Sequence, residues 1–270
     1  MNLKALLDSR FPWVAATYRM LRDQRLAARW PFSKVPLGFE MIGPPGTAES
    51  RIDSGELSLF LELLKGVDVF IDVGANCGFF SLVARNASIK TLAIEPNEEN
   101  LRALLFNLKR NSFADVEVHP IALAADINVL PLFSGGQGAS LTKGWGGIVN
   151  TYSRLVPVNT IDNLFGSRFI GKRLLIKLDV EGNEFDVLQA SREVLQRTPA
   201  PTWIVEHGFK ENFSEGVNPR FRDLFELFWQ NGYHCFTADF AKKQVTESDV
   251  DRWLTSGQRD FGFLNYLFTR

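Results

Sequence analysis

Acidic residues stand at the ends of apolar runs in four places along this chain. Asp72 lies within Phe70-Ile-Asp-Val-Gly-Ala-Asn-Cys-Gly-Phe-Phe80, and Glu95 within Ala93-Ile-Glu-Pro-Asn97. Asp179, Glu181 and Glu184 follow Lys177-Leu178, and Glu206 precedes His207 and Gly208. An acid in such a position can hold the hydroxyls of a ribose, attract a cation, or take a proton from a reacting group. His207, with an ordinary pKa near 6.5, is a further general-base candidate beside Asp179, Glu181 and Glu206.

These groups need strands to present them, and the pattern supplies strands. Apolar runs at 67–73, 91–95, 116–119, 174–179 and 202–206 alternate with helical periodicity at 55–65, 79–86, 98–111, 184–196 and 220–231, and two further strands are predicted at 233–237 and 263–268. Such alternation predicts an α/β domain: a Rossmann-like, doubly wound, mostly parallel sheet of seven strands with helices on both faces. No long helical pattern separates the last two strands, which allows an antiparallel edge pair. Residues 127–158 interrupt the alternation with Gly135-Gly-Gln-Gly138 and Gly144-Trp-Gly-Gly147, and read as an insertion that lids the site. Leu3, Leu6, Leu7, Phe11, Val14, Tyr18 and Leu21 recur at helical spacing among basic residues, with Pro12 dividing two helices. Residues 1–53 are therefore expected to form a helical cap and connecting loop or hairpin, and 54–270 the main domain.

In open α/β sheets the ligand sits beyond the carboxyl ends of the strands. A nicotinamide site requires Gly-x-Gly-x-x-Gly after the first strand, whereas the chain reads Gly74-Ala-Asn-Cys-Gly78. Asn76 tolerates positive φ, but its side chain fills the space a pyrophosphate needs. No Gly-Lys-Ser/Thr follows, so a phosphate loop is excluded as well. Glu95, at the end of the second strand, is placed to accept both ribose hydroxyls. With Asp72 as a second acid near the turn, a cationic nucleoside without phosphate fits best, and S-adenosylmethionine is such a ligand. Its methionine carboxylate would rest on the amides of the turn and the helix start.

Four stretches in order, FIDVGANCGFFSLVA (70–84), AIEPNEENLRALLFNL (93–108), VNTIDNLF (158–165) and IKLDVEGNEFDVLQAS (176–191), resemble the FkbM family of S-adenosylmethionine-dependent methyltransferases. The resemblance covers roughly residues 55–210. It implies a transferase that methylates a hydroxyl of a sugar, glycolipid or secondary metabolite. It further implies that Asp72, Gly74, Asn76 and Gly78 border the methionine part of the cofactor and that Glu95, flanked by Pro96 and Asn97, takes the ribose. His119 to Ala124, with Ala122 among them, would line the adenine, and Asp179 would face both cofactor and substrate. Asp162 matches the family pattern too, although it can equally cap the short helix that follows it.

Asp179, Glu206 and His207 on adjacent strands also form a possible divalent-metal set, similar to the catechol type of methyltransferase; metal dependence stays open. Glu184 is read as a first-turn acid that complements a helix dipole. Two readings compete with O-methylation. An N-methyltransferase is disfavoured because no Asn/Asp-Pro-Pro-Tyr/Phe motif stands at the fourth strand, and a non-catalytic nucleoside-binding module has no need of acids at 179, 181 and 206.

A net charge of −1 with both signs interspersed argues against a nucleic-acid partner. Cys77 and Cys235 have no metal or redox spacing, and Cys77 reads as a small packing residue. No apolar run of transmembrane length and no secretory core occurs, so a cytoplasmic protein acting on a small-molecule or glycan acceptor is expected, with peripheral membrane contact by the basic amino-terminal helices as the minority alternative. Oligomeric state is not legible.

Overall fold

The computed structural model describes residues 30, 32–44, 55–134, 138–147, 153–213, 216–262 and 264–270. The expected helix pair at 1–29 and the boundary at 53/54 lie outside the described residues.

The chain opens with an antiparallel hairpin, β1 (Phe32–Val35) and β2 (Phe39–Ile42), and α1 (Gly55–Leu64) follows. Then come β3 (Val69–Val73), α2 (Phe79–Asn86), β4 (Lys90–Ile94), α3 (Glu98–Arg110) and β5 (Glu117–His119). Next are the short strands β6 (Ala122–Leu123), β7 (Asn128–Ser134), β8 (Ala139–Ser140) and β9 (Ser153–Asn159), and α4 (Ile161–Phe165). The last third contains β10 (Leu174–Leu178), α5 (Glu184–Gln189), α6 (Arg192–Leu195), β11 (Thr202–Glu206), α7 (Phe221–Gln230), β12 (His234–Thr237), β13 (Gln244–Val245), α8 (Glu247–Ser256) and β14 (Asn265–Thr269).

The main sheet has eight strands in the order β13-β12-β14-β11-β10-β3-β4-β5. β11, β10, β3, β4 and β5 are parallel, and β14 runs antiparallel to both of its neighbours. It is thus mixed, mostly parallel and flanked by helices, and not a seven-stranded sheet. The eighth strand, β13, is a two-residue edge antiparallel to β12. Parallel strands covered on both faces should be apolar throughout, and all five residues of β3 are buried. Ile71 joins Ile176, Trp203 and the α7 rings of Phe221, Phe225 and Phe228 on one side. Phe70 meets Phe60 of α1 and Phe80 of α2 on the other. Each such ring, fully buried, contributes about 1.5–3 kcal/mol.

Three local expectations are corrected. The helix expected over 184–196 is two short ones, and between them the Ser191 hydroxyl donates back to the Val187 carbonyl at 2.7 Å, a bond that competes with helix continuation. A ten-residue helix, α8, does lie between the last two sheet strands, and a capping box of Thr246 and Asp249 starts it. The antiparallel pairing of β12 with β14 holds regardless. The insertion forms, with β6, a separate four-stranded sheet in the order β6-β9-β7-β8.

The hairpin is held by a helix that imitates a strand. Asn107 of α3 and Asn111, the residue that caps its end one turn later, bond the backbones of Ile42 and Glu40 through both amide atoms, at 2.6 to 2.9 Å. Asn107 also reaches the Cys77 carbonyl at 2.8 Å, so the glycine turn is tied to the same scaffold.

Candidate functional site

The chain leaves β3 toward β4 and β5, then returns to β10 on the other side of β3. Strand order reverses at that point, and the crevice expected there is present. It is lined by Gly74 and Asn76 of the turn after β3, Glu95, Pro96 and Asn100 after β4, Ala122 of β6, and Asp179, Glu181 and Glu206 at the ends of β10 and β11. It encloses about 230 Å³ and opens to solvent at its mouth. Leu132, Ala139 and Leu141 of the insertion form one wall, so the expected lid contributes to the cleft.

The turn owes its shape to three left-handed residues in alternate positions, Gly74 (φ 85°), Asn76 (φ 54°) and Gly78 (φ 90°). A Cβ on Gly74 would lie 1.7 Å from the Asp179 carbonyl oxygen, which is how closely the turn meets the end of β10. All five backbone N–H groups of the turn are spent within the protein. Gly74 and Ala75 donate to the Ile94 carbonyl, Asn76 to Glu95 Oε2, Cys77 to Asn76 Oδ1 and Gly78 to the Ala75 carbonyl. Of the expected turn-and-helix-start seat for a methionine carboxylate, the turn's own amides are therefore engaged, two by the end of β4, one by Glu95 and two within the turn itself.

Glu95 holds the Asn76 N–H through Oε2 and the Asn97 N–H through Oε1, both at 2.7 Å. Burial pushes its carboxyl up to about 7 despite those bonds. Oε1 also receives the Asn100 side-chain amide at 3.5 Å, whereas Oε2 keeps a lone pair for a ribose hydroxyl.

At the far side Asp179 receives the ammonium of Lys177 at 2.8 Å. Lys177 itself is 2% exposed, and its charge also lies over the Phe80 ring at 5.0 Å. Glu181 adopts φ 55°. The indole N–H of Trp145 donates to its Oε2 at 2.7 Å, and the Ser140 hydroxyl to its backbone carbonyl at 2.6 Å. Trp145 also lies so close to Gly182 that a Cβ there would sit 2.5 Å from the ring. The insertion thereby fixes Glu181. Glu206 lies one strand beyond Asp179 and faces the cleft, and no described residue hydrogen-bonds its carboxyl. The charge of Asp179, with burial second, raises its pKa well above the ordinary 4.5.

Several expected residues lie elsewhere. Asp72 points into the sheet–helix interior, where it accepts the Ser81 hydroxyl at 2.6 Å; the pleat places it on the face of Phe70 rather than at the strand end. Gly78 caps α2 and packs on Leu104. Asn97 caps α3 by accepting the Glu99 N–H. The ring of His119 pairs with Glu117 at 2.6 Å, and of the segment that follows it Ile121, Ala122 and Leu123 reach the cleft.

His207 is the largest correction. It is stacked on Phe221 at 5.3 Å, 2% exposed and absent from the cleft wall, and burial pushes its pKa down to about 4. It therefore cannot complete a metal set with Asp179 and Glu206, and among the described residues no three His, Cys, Asp or Glu side chains gather to hold an ion.

Two further acids are structural. Glu184 begins α5, and its Oε1 accepts the Val180 and Gly182 amides, holding the loop after β10. Asp162 caps α6, not its own helix, by accepting the Glu193 and Val194 amides at 2.9 and 3.0 Å, while Thr160 caps α4. Asp162→Ala is expected to cost about 1 kcal/mol and to lower Tm by roughly 2–4 °C, with unchanged affinity for S-adenosylhomocysteine in a titration. Lys177, Trp145 and Ser140 escaped the sequence reading. An isolated Lys inside an apolar strand run is the one signal that pointed to any of them.

Fold and cleft together define an α/β protein with a ligand-sized crevice at the switch point of its sheet. Residues 72–235 match the Methyltransferase FkbM domain, and the chain belongs to that family of S-adenosylmethionine-dependent methyltransferases. Among solved structures it is similar to precorrin-6y C5,15-methyltransferase from Geobacter metallireducens GS-15, with 15% identity over 75% of this chain and 84% of that one and a TM-score of 0.41. It is also similar to an O-methyltransferase from Bacillus cereus in complex with SAH, with 12% identity over 98% and 94% and a TM-score of 0.46. No curated protein matches the chain. No described helix is long and apolar enough to cross a membrane.

Proposed function

We propose that the protein methylates a hydroxyl oxygen of a neutral small molecule, sugar, glycolipid or secondary metabolite, with Glu206 as the general base. The observation that carries this reading is the Glu206 carboxyl, which lines the cleft, makes no hydrogen bond to a described residue and is held at a raised pKa by Asp179. Gly74, Asn76 and Glu95 line the same cleft, which supports the cofactor reading. The bound cofactor supplies an activated methyl on a sulfonium.

Glu206 accepts the proton of the acceptor hydroxyl. Asp179 keeps the basicity of Glu206 high through like charge, and the Lys177 ammonium holds Asp179 in place. Glu181, fixed by Trp145, stands where it can accept a second hydroxyl of a polyol and orient it.

The test is transfer of labelled methyl to a panel of sugars, glycolipids and polyketide alcohols, with the product identified as an ether. Glu206→Gln is expected to lower kcat about 10²–10⁴-fold with KM little changed, whereas His207→Asn costs stability and leaves kcat within a few-fold. Loss of turnover in His207→Asn with full turnover in Glu206→Gln would reverse the assignment.

A further inference from the structure

We infer that Glu206, with Asp179 beside it, makes this cleft select the sulfonium of S-adenosylmethionine over the neutral thioether of S-adenosylhomocysteine. The inference rests on the cofactor reading above and concerns how the site tells its two forms apart.

Four carboxyl groups line the cleft, those of Glu95, Asp179, Glu181 and Glu206, and none of its described lining residues is Lys, Arg or His. The amides of the turn itself, from Gly74 to Gly78, are all engaged within the protein. Three of the acids have fixed work. Glu95 holds two amides, Asp179 the Lys177 ammonium, and Glu181 the Trp145 indole. Glu206 alone among them makes no hydrogen bond to a described residue.

The charged groups that act on Glu206 are Asp179, Glu181 and Glu184, with Lys177 as the single cation. That cation is already bonded to Asp179. The local balance therefore stays negative until a ligand brings positive charge.

Position matters as much as charge. Gly74 touches Asp179, and the register Leu178–Val205 places Glu206 next to Asp179 on the neighbouring strand. Strands lie about 4.8 Å apart, so Glu206 stands within roughly 10 Å of the turn that borders the cofactor. Over such distances, in a partly desolvated cleft, opposite unit charges attract strongly enough to change affinity by about tenfold or more.

The charge is consumed by the reaction. As the acceptor oxygen bonds to the methyl carbon, the hydroxyl proton passes to Glu206 and the carbon–sulfur pair stays on sulfur. Sulfonium and carboxylate both end neutral, and the attraction that favoured the cofactor disappears with the product.

Titration calorimetry of the full-length protein with S-adenosylmethionine, S-adenosylhomocysteine and sinefungin, an analogue with an amine in place of the sulfonium, tests this. The expected result is roughly tenfold or greater preference for the two cationic ligands. Glu206→Gln should lose most of that preference while binding S-adenosylhomocysteine as the wild type does, which also shows that the variant is folded. Equal affinities in the wild type, or an undiminished preference in Glu206→Gln, overturns the inference while leaving the cofactor reading intact. Failure of folded wild type to bind any of the three overturns both.

Discussion

Gly74→Ala is expected to abolish cofactor binding and to leave a severely destabilised protein. The Cβ it introduces would lie 1.7 Å from the carbonyl oxygen of Asp179 and 2.8 Å from its carbonyl carbon. Those are backbone atoms at the end of a central strand, and the Asp179 N–H is itself bonded to the Val73 carbonyl at 3.0 Å, so the clash cannot be relieved by a rotamer. The residue also holds φ 85°, a conformation that alanine adopts only with strain. A loss of about 4 kcal/mol or more is the scale for such a site. Gly78→Ala is a useful comparison. Its φ is as unfavourable, but its Cβ meets the tip of Leu104, 2.4 Å away, and a leucine end can move. It should cost about 1–3 kcal/mol and retain measurable binding. Urea unfolding and S-adenosylhomocysteine titration of the two variants decide the matter, and a wild-type midpoint for Gly74→Ala would show that β10 does not press on the turn.

The sequence exposed the parts of this site that sit at strand ends in apolar runs. Asp179 and Glu206 follow Leu178 and Val205 directly, and Glu95 follows Ile94, so their places at the carboxyl edge came from hydrophobic pattern alone. What the pattern could not give was facing. Asp72 lies one residue inside β3 and turns into the interior to meet Ser81. His207 lies one residue past β11 and is drawn under the α7 aromatics, a contact between residues that only the tertiary fold brings together. The helix break at Ser191 turns on one side-chain hydrogen bond and β13 pairs over only two residues, so neither leaves a periodic pattern. The insertion read correctly as part of the site. Its Trp145–Glu181 bond, however, joins segments 36 residues apart and has no local signature.

The ligand-free protein is expected to be most stable near pH 5 and to lose stability as the pH rises to neutrality. Glu95 and Glu184 have an ordinary pKa of 4.5 and stand at about 7 in the folded chain, in both cases chiefly through burial. A folded carboxyl with a raised pKa binds its proton more tightly than the unfolded one. Its contribution is fully present below 4.5 and is lost as pH rises through 7, on the order of 2–3 kcal/mol for each group. Glu206, raised by Asp179, acts in the same direction. His207 opposes them, because its pKa falls from 6.5 to about 4, so its contribution is present above 6.5 and lost as pH drops through 4. Below about pH 4 the ion-paired acids also fail; Glu117, held at about 2 by Arg168, is the partly buried example. Two or three carboxyls outweigh one imidazole, so a net loss on the order of 2–3 kcal/mol between pH 5 and 7 remains. Thermal unfolding at constant ionic strength should show Tm falling across that interval. Glu184→Gln keeps an oxygen for the Val180 and Gly182 amides, cannot ionise, and should flatten the fall, whereas His207→Asn should steepen it. A Tm that climbs steadily from pH 5 to 7 in the wild type would mean that these carboxyls are not desolvated in the free protein.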